Sequence, residues 1–192
     1  MNEAHLKFLA SDQWAEMLKT ELLPWVEHVG DLGEDVLEIG PGPGRTTDLL
    51  RERAKRVTAV EMDAHLAGEL RARLAGTNVE VITGDGTDTG LDSDRYSTVT
   101  AFSVLHHIPS SQAQDRLFAE LSRVLRPGGV FVGTDSRDTE MIRLGHADDT
   151  FVPVDPKTLP DRLQGAGFTG VDVDTTEFHI RFMARKPNRV GG

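Results

Sequence analysis

The chain has 192 residues, 38% of them hydrophobic and 27% charged, which suits one domain with a sizeable core of its own. It has no cysteine, which excludes thiol catalysis, disulfides and thiolate metal sites. A formal net charge of −10 argues against a nucleic-acid partner, because such binding ordinarily needs a basic surface that displaces counterions from phosphates.

No apolar run is long enough to cross a bilayer, and Met1-Asn2-Glu3-Ala4-His5 lacks a basic region leading into an apolar core. Neither membrane association nor a secretory signal is expected, and the cytoplasm is the location left by elimination. Three segments are expected: helical over 1–30, one α/β domain over 31–186 and a tail over 187–192.

The first thirty residues read as helical. Leu6, Phe8 and Leu9 form a short apolar cluster. Ser11 can cap a second helix that carries Trp14, Met17, Leu18, Leu22, Trp25 and Val26 at helical spacing. Pro24 should kink that helix or end it early. From residue 35 strands and helices alternate. Strands are expected over 36–39, 57–61, 79–83, 96–102 and 130–134, with helices over 45–54, 64–74 and 111–125. The basic cluster Arg51, Arg53, Lys55 and Arg56 fits the solvated end of the first of these helices. Residues 85–95 read as a loop, and Ser111-Gln112-Ala113-Gln114 matches a capping box. A loop over 135–154 and a helix over 156–165 lead to two last strands, 169–174 and 177–184. So few residues part these two that they must pair antiparallel. The alternation before them means crossover connections and a doubly wound, mostly parallel Rossmann-like sheet.

Three features carry chemistry. A strand ending in Gly40-Pro41-Gly42-Pro43-Gly44 and passing into a helix lets main chain approach a ligand at the carboxyl edge of the sheet. Its G-x-G-x-G spacing is one residue short of the dinucleotide fingerprint. Glu61, at the end of the second strand, can accept hydrogen bonds from both hydroxyls of a ribose. Asp85 in Gly84-Asp85-Gly86-Thr87, after the third strand, can accept from an adenine amino group; the same residues also suit an ordinary turn.

These segments, with Glu38-Ile39 before the loop, Val60-Glu61-Met62-Asp63, and Leu121-Ser122-Arg123-Val124-Leu125-Arg126-Pro127-Gly128-Gly129, resemble the ordered motifs of the class I S-adenosylmethionine-dependent methyltransferases. Gly165-Ala166-Gly167-Phe168 is similar to the family as well. The resemblance covers roughly residues 35–185. It implies a seven-stranded sheet with an antiparallel last strand, S-adenosylmethionine as cofactor and S-adenosylhomocysteine as product. It further implies that Glu38, Gly40, Pro41, Gly42 and Gly44 line the methionine and sulfonium end. Glu61 would hold the ribose, Met62 would pack on the adenine, Asp85 and the Gly86 main chain would read the adenine edge, and Phe102 and Ser103 would flank the methyl group.

The glycine loop is also similar to that of the ribosomal RNA adenine dimethylases. Those enzymes carry Asn or Asp, Pro and an aromatic residue after the fourth strand, where this chain has Ser103-Val104-Leu105-His106-His107-Ile108-Pro109. Leu105-His106-His107-Ile108 is instead similar to small-molecule methyltransferases, so a small molecule methylated at O, N or C is the expected acceptor. His106 and His107 are the candidate general bases, since histidine titrates near neutral pH, and Asp135 is a candidate for orienting a substrate. His146-Ala147-Asp148-Asp149 reads as a solvated acidic stretch, and no metal centre is expected. The N-terminal helices, which hold both tryptophans, are a possible lid. Alternative readings are a protein or peptide acceptor, an S-adenosylmethionine-binding protein without turnover, and a nicotinamide-dependent oxidoreductase. The last is disfavoured by the glycine spacing and by Leu125-Arg126-Pro127-Gly128-Gly129. Oligomeric state is not legible.

Overall fold

The computed structural model describes residues 3–146 and 149–189. Seven strands form one sheet in the order β3-β2-β1-β4-β5-β7-β6. They are β1 (Asp35–Ile39), β2 (Arg56–Glu61), β3 (Val79–Thr83), β4 (Tyr96–Phe102), β5 (Leu125–Ser136), β6 (Thr169–Thr175) and β7 (His179–Arg185). The first five run parallel, and β7 inserts antiparallel between β5 and β6. The chain lays β1, β2 and β3 outward on one side and then crosses to place β4 on the other. The switch point of the topology therefore lies between β1 and β4, where open α/β sheets hold their ligands.

Burial follows position in the sheet. Every residue of β1 and β4 is buried, while the edge strands β3 and β6 alternate with exposed polar residues. Buried hydroxyls in β4 are matched to main-chain carbonyls: Ser97 and Thr98 both donate to the Leu32 oxygen at 2.8 Å. Helix α6 (Ser111–Val124) presses Leu117, Phe118, Leu121 and Val124 into the core under β5. The Phe131 ring meets those of Phe118, Phe168 and Phe182 there. Helices α4 (Arg45–Arg51), α5 (Ala64–Arg73), α7 (Glu140–Gly145) and α8 (Leu159–Gly165) complete the crossovers. No helix among the described residues is long and apolar enough to cross a membrane.

Several boundaries differ from expectation for local reasons. The cap of α6 is Ser110, whose hydroxyl accepts from the Ala113 N–H at 3.1 Å, one residue earlier than the Ser111 box. Helix α8 begins at Leu159 rather than 156, with Pro160 in the first turn, where a missing N–H costs nothing. Within the expected loop 135–154 the structure holds the end of β5 and α7, the latter capped by Thr139. The N-terminal segment is α1 (Glu3–Leu9), α2 (Asp12–Met17), a π-helical turn (Leu18–Leu22) and α3 (Leu23–Val29). Pro24 has no N–H to continue an α-helical ladder, and the wider turn just before it absorbs the break: the Leu23 N–H reaches back to the Leu18 carbonyl. Leu18, Leu22 and Val26 then pack against Val36, Leu50, Phe102 and Val132 on the sheet.

One glycine is required by packing alone. Gly133 of β5 pairs with Phe182 of β7, and a Cβ at 133 would stand 2.2 Å from the Phe182 ring. Gly133→Ala should therefore destabilise by about 1–3 kcal/mol in urea unfolding. In a Phe182→Leu background the same change should cost at least ~0.5 kcal/mol less. Equal costs in the two backgrounds would remove the ring contact as the cause.

Candidate active site

The carboxyl ends of β1 to β4 open on a cavity of about 540 Å³, within the ~300–1,000 Å³ common for small ligands. Gly40, Pro41 and Gly42 line it after β1, Glu61 and Met62 after β2, Asp85 and Gly86 after β3, and Phe102 and Ser103 after β4. Segments far apart in sequence thus converge as the motifs predict. Glu38 and Gly44 do not reach the wall. Gly44 starts α4 and faces Leu70 of α5, where a Cβ would lie 2.3 Å from the leucine.

Glu61 is the hinge of the arrangement. Its Oε2 accepts from the Gly42 N–H at 3.0 Å and its Oε1 from the Asp63 N–H at 2.9 Å. The carboxylate thereby ties the glycine loop to the end of β2, and each oxygen keeps a lone pair for a ligand hydroxyl. Gly40 has φ +64° and donates its N–H to Val60, and a Cβ there would meet Val104 at 2.4 Å. Both the backbone turn and the close approach require glycine. Arg73 of α5, which no local motif announces, clamps the loop from outside. It donates to the carbonyls of Pro43 and Gly44 and to both oxygens of Asp48. Met62 is 67% exposed and forms a flat apolar edge of the cavity. Ser103 sits at φ +55°, a conformation that non-glycine residues adopt at a cost, held by its N–H to the Thr134 carbonyl at 2.8 Å.

The rest of the lining is mostly apolar, with Val104, Ile108, Pro109 and Leu117, and carries His107 and Arg116 as polar groups. Leu6, Leu9 and Trp14 of the N-terminal segment also line the cavity. Arg45 ties that segment down by donating to the Ala10 carbonyl at 2.6 Å and pairing with Asp12. Of the two candidate bases, His107 lines the cavity. His106 is fully buried behind it, with Nδ1 on the Asp135 carboxylate. Asp135 is itself fully buried and holds His106 rather than facing a substrate. His146, read from sequence as part of a solvated stretch, is instead buried against His106; Ala147 and Asp148 lie outside the described residues.

Comparison with known proteins fits this geometry. The methyltransferase domain family matches residues 37–133, about half of the chain. The chain belongs to the class I S-adenosylmethionine-dependent methyltransferases. A Mycolicibacterium smegmatis protein described as a probable S-adenosylmethionine-dependent methyltransferase is 34% identical over 83% of this chain, which spans 61% of that protein's length. The Koribacter versatilis ribosomal RNA small subunit methyltransferase A is 50% identical, over 31% of this chain and 22% of its own. Among solved structures, Haemonchus contortus phosphoethanolamine N-methyltransferase 2 in complex with S-adenosyl-L-methionine superposes with a TM-score of 0.73 at 15% identity, covering 86% of this chain and 52% of that one.

Within this methyltransferase fold, Glu38 supports the glycine loop from below. Its two carboxylate oxygens accept the hydroxyls of Thr46 and Thr47 from the first turn of α4. Burial pushes its pKa up to about 7, against the lowering effect of the two hydroxyls, and the nearby charges of Asp48 and Glu61 add to the rise. The folded protein thus holds a proton that the unfolded chain releases above pH 4.5. The stability Glu38 contributes is therefore present at low pH, is lost as pH rises toward 7, and is level beyond. In Glu38→Gln this slope should vanish. Chemical denaturation from pH 4.5 to 8 should show wild type losing up to about 3 kcal/mol relative to the variant. Parallel profiles would mean that Glu38 is ionised throughout.

Proposed function

We propose that this chain transfers the methyl group of S-adenosylmethionine to a small molecule at an O, N or C atom. The observation that carries the reading is the single cavity in which the glycine loop, Glu61, Asp85 and an apolar chamber around His107 share one wall. The residues suit the cofactor. The Glu61 carboxylate is held in place by two main-chain donors and can accept from a ribose. Met62 offers an apolar face to adenine. Asp85, whose Oδ1 accepts from the Thr87 N–H at 2.8 Å, stands with the Gly86 main chain at the adenine edge. Gly40, Pro41 and Gly42 leave main chain open to the methionine end, and Phe102 and Ser103 stand between that end and the chamber.

When bound, the cofactor would supply an already activated methyl group, with S-adenosylhomocysteine as the leaving group. The protein's share is positioning and the exclusion of water. The chamber's apolar walls and the N-terminal cover suit a small acceptor better than a nucleic-acid surface. The Haemonchus contortus enzyme, named for a small phosphorylated amine, supports the same reading. His107 is the residue placed to take a proton where the acceptor carries one. The segment ahead of α2 acts as a lid in this proposal, because Leu6 and Leu9 complete the chamber while Leu18, Leu22 and Val26 remain packed on the sheet.

Calorimetric titration with S-adenosylmethionine, S-adenosylhomocysteine and NAD tests the cofactor assignment. Both S-adenosyl compounds should bind in the micromolar range, roughly −8 kcal/mol, and NAD should not. Glu61→Ala should weaken both by about 10- to 100-fold, roughly 1.4–2.7 kcal/mol. Binding of NAD alone would overturn the reading, and tight cofactor binding without S-adenosylhomocysteine release across a panel of amines, phenols and quinols would leave a binding protein. Deleting residues 1–11 should leave the fold and cofactor affinity within about threefold, while raising KM for the acceptor at least tenfold. Unchanged KM would dismiss the lid.

A further inference from the structure

Three histidines from separate parts of the chain meet behind the chamber. His106 and His107 lie in the 3₁₀ turn Leu105–His107 that follows β4, and His146 lies just past α7. Their ring nitrogens include one from each residue that all lie within 4.8 Å of one another. His106 is fully buried, His146 is 8% exposed, and the Phe151 ring walls both, at 5.5 and 4.7 Å between centroids.

Hydrogen-bond partners determine where the ring protons sit. The Asp135 carboxylate accepts from the main-chain N–H of His106 at 3.0 Å and of Ser136 at 2.7 Å, and His106 Nδ1 faces the same carboxylate. Facing an acceptor, Nδ1 of His106 must carry its hydrogen. Nδ1 of His146 lies 2.8 Å from the Ile142 carbonyl oxygen, which can only accept, so this Nδ1 carries its hydrogen too. In each neutral ring Nε2 is then a bare lone pair. Yet the two Nε2 atoms face each other at 3.2 Å, with the rings at right angles. Two unprotonated nitrogens at that distance in a buried site repel unless a donor or a cation is shared by them.

The spacing suits a metal ion as well as a shared proton. Two nitrogens bound to one tetrahedral zinc at ~2.0–2.1 Å stand ~3.3–3.4 Å apart, close to the observed separation. His107 supplies a third nitrogen within reach, and the Asp149 carboxylate lies 3.8 Å from its Nδ1. The Asp135–His106 contact repeats the carboxylate that orients a metal-bound imidazole from behind and sets its tautomer. We propose that His106, His107 and His146 bind one divalent transition-metal ion of the zinc class through ring nitrogens, with Asp135 positioning His106. An all-imidazole set selects zinc, copper, nickel or iron over magnesium and calcium. Three protein ligands leave a coordination position open, and His107, shared with the chamber wall, puts the ion at the acceptor end. This site stands apart from the cofactor residues and does not depend on the methyl-transfer reading.

Protein dialysed against chelator and titrated with cobalt(II) chloride gives the test, read as visible ligand-field absorption, with elemental analysis for stoichiometry. The expected result is one cobalt per chain, displaced by zinc, and a thermal midpoint raised by zinc. His146→Ala should weaken binding at least 100-fold and His107→Ala at least tenfold, with folding checked by circular dichroism. His65→Ala, an exposed residue of α5, should bind as wild type does. Absence of saturable absorption below millimolar cobalt would overturn the proposal and leave a shared proton between the two Nε2 atoms. Binding of equal strength in wild type and His146→Ala would overturn it as well.

Discussion

Burying a carboxylate in an apolar sheet costs several kcal/mol unless donors meet it, and this protein does so three times along one edge. Glu38 near the end of β1, Glu61 at the end of β2 and Asp135 near the end of β5 are each at most 8% exposed. Each is answered differently. Glu38 receives two hydroxyls from α4, Glu61 two main-chain N–H groups, and Asp135 main-chain N–H groups together with an imidazole. These donors come from the segments that must be shaped for the site: the first turn of α4, the glycine loop, and the turn after β4. Satisfying the carboxylates and building the cavity are therefore one structural requirement.

That coupling holds the glycine loop from several sides, whereas the N-terminal helices reach the cavity from outside the sheet. The loop 40–44 is held from within by Glu61, from below by Glu38 through α4, and from outside by Arg73. The chamber around His107 is closed by α1 and α2, whose ties to the domain include the surface contacts of Arg45. The Arg45–Asp12 pair is solvent-exposed on the aspartate side and contributes little by itself.

Legibility in the sequence follows the same division. Strand β4 could be delimited to the residue, because a run of β-branched and aromatic residues is bounded by polar loops on both sides. The closing hairpin followed from a connection too short for a crossover. Residues at strand ends, such as Glu61 and Asp85, were legible because the topology itself carries strand ends to the switch point. Glu38, expected at the methionine end of the cofactor, does not reach the cavity wall. Its side chain turns under α4 because Thr46 and Thr47 offer hydroxyls there, a pairing that nothing in either segment alone reveals. The π-helical turn before Pro24 and the short helix α7 were missed because each is a local compromise of one or two turns. His146 read as solvated since its neighbours are acidic; only tertiary contact with the turn after β4 buries it.

The pattern of similarity to other proteins has the same physical origin. The family match spans residues 37–133, from β1 into β5, and thereby takes in the ends of β1 to β4 that line the cavity. The ribosomal RNA methyltransferase matches at high identity over less than a third of the chain, and the 34% identity to the Mycolicibacterium smegmatis protein extends over most of it. The chamber draws on α1, α2 and the turn after β4, and the histidine cluster behind it adds residue 146. Asp135, near the end of β5, is met by the main-chain N–H groups of His106 and Ser136 and by the His106 ring. The carboxylate of β5 thus fixes the turn after β4, which carries His107 into the cavity wall.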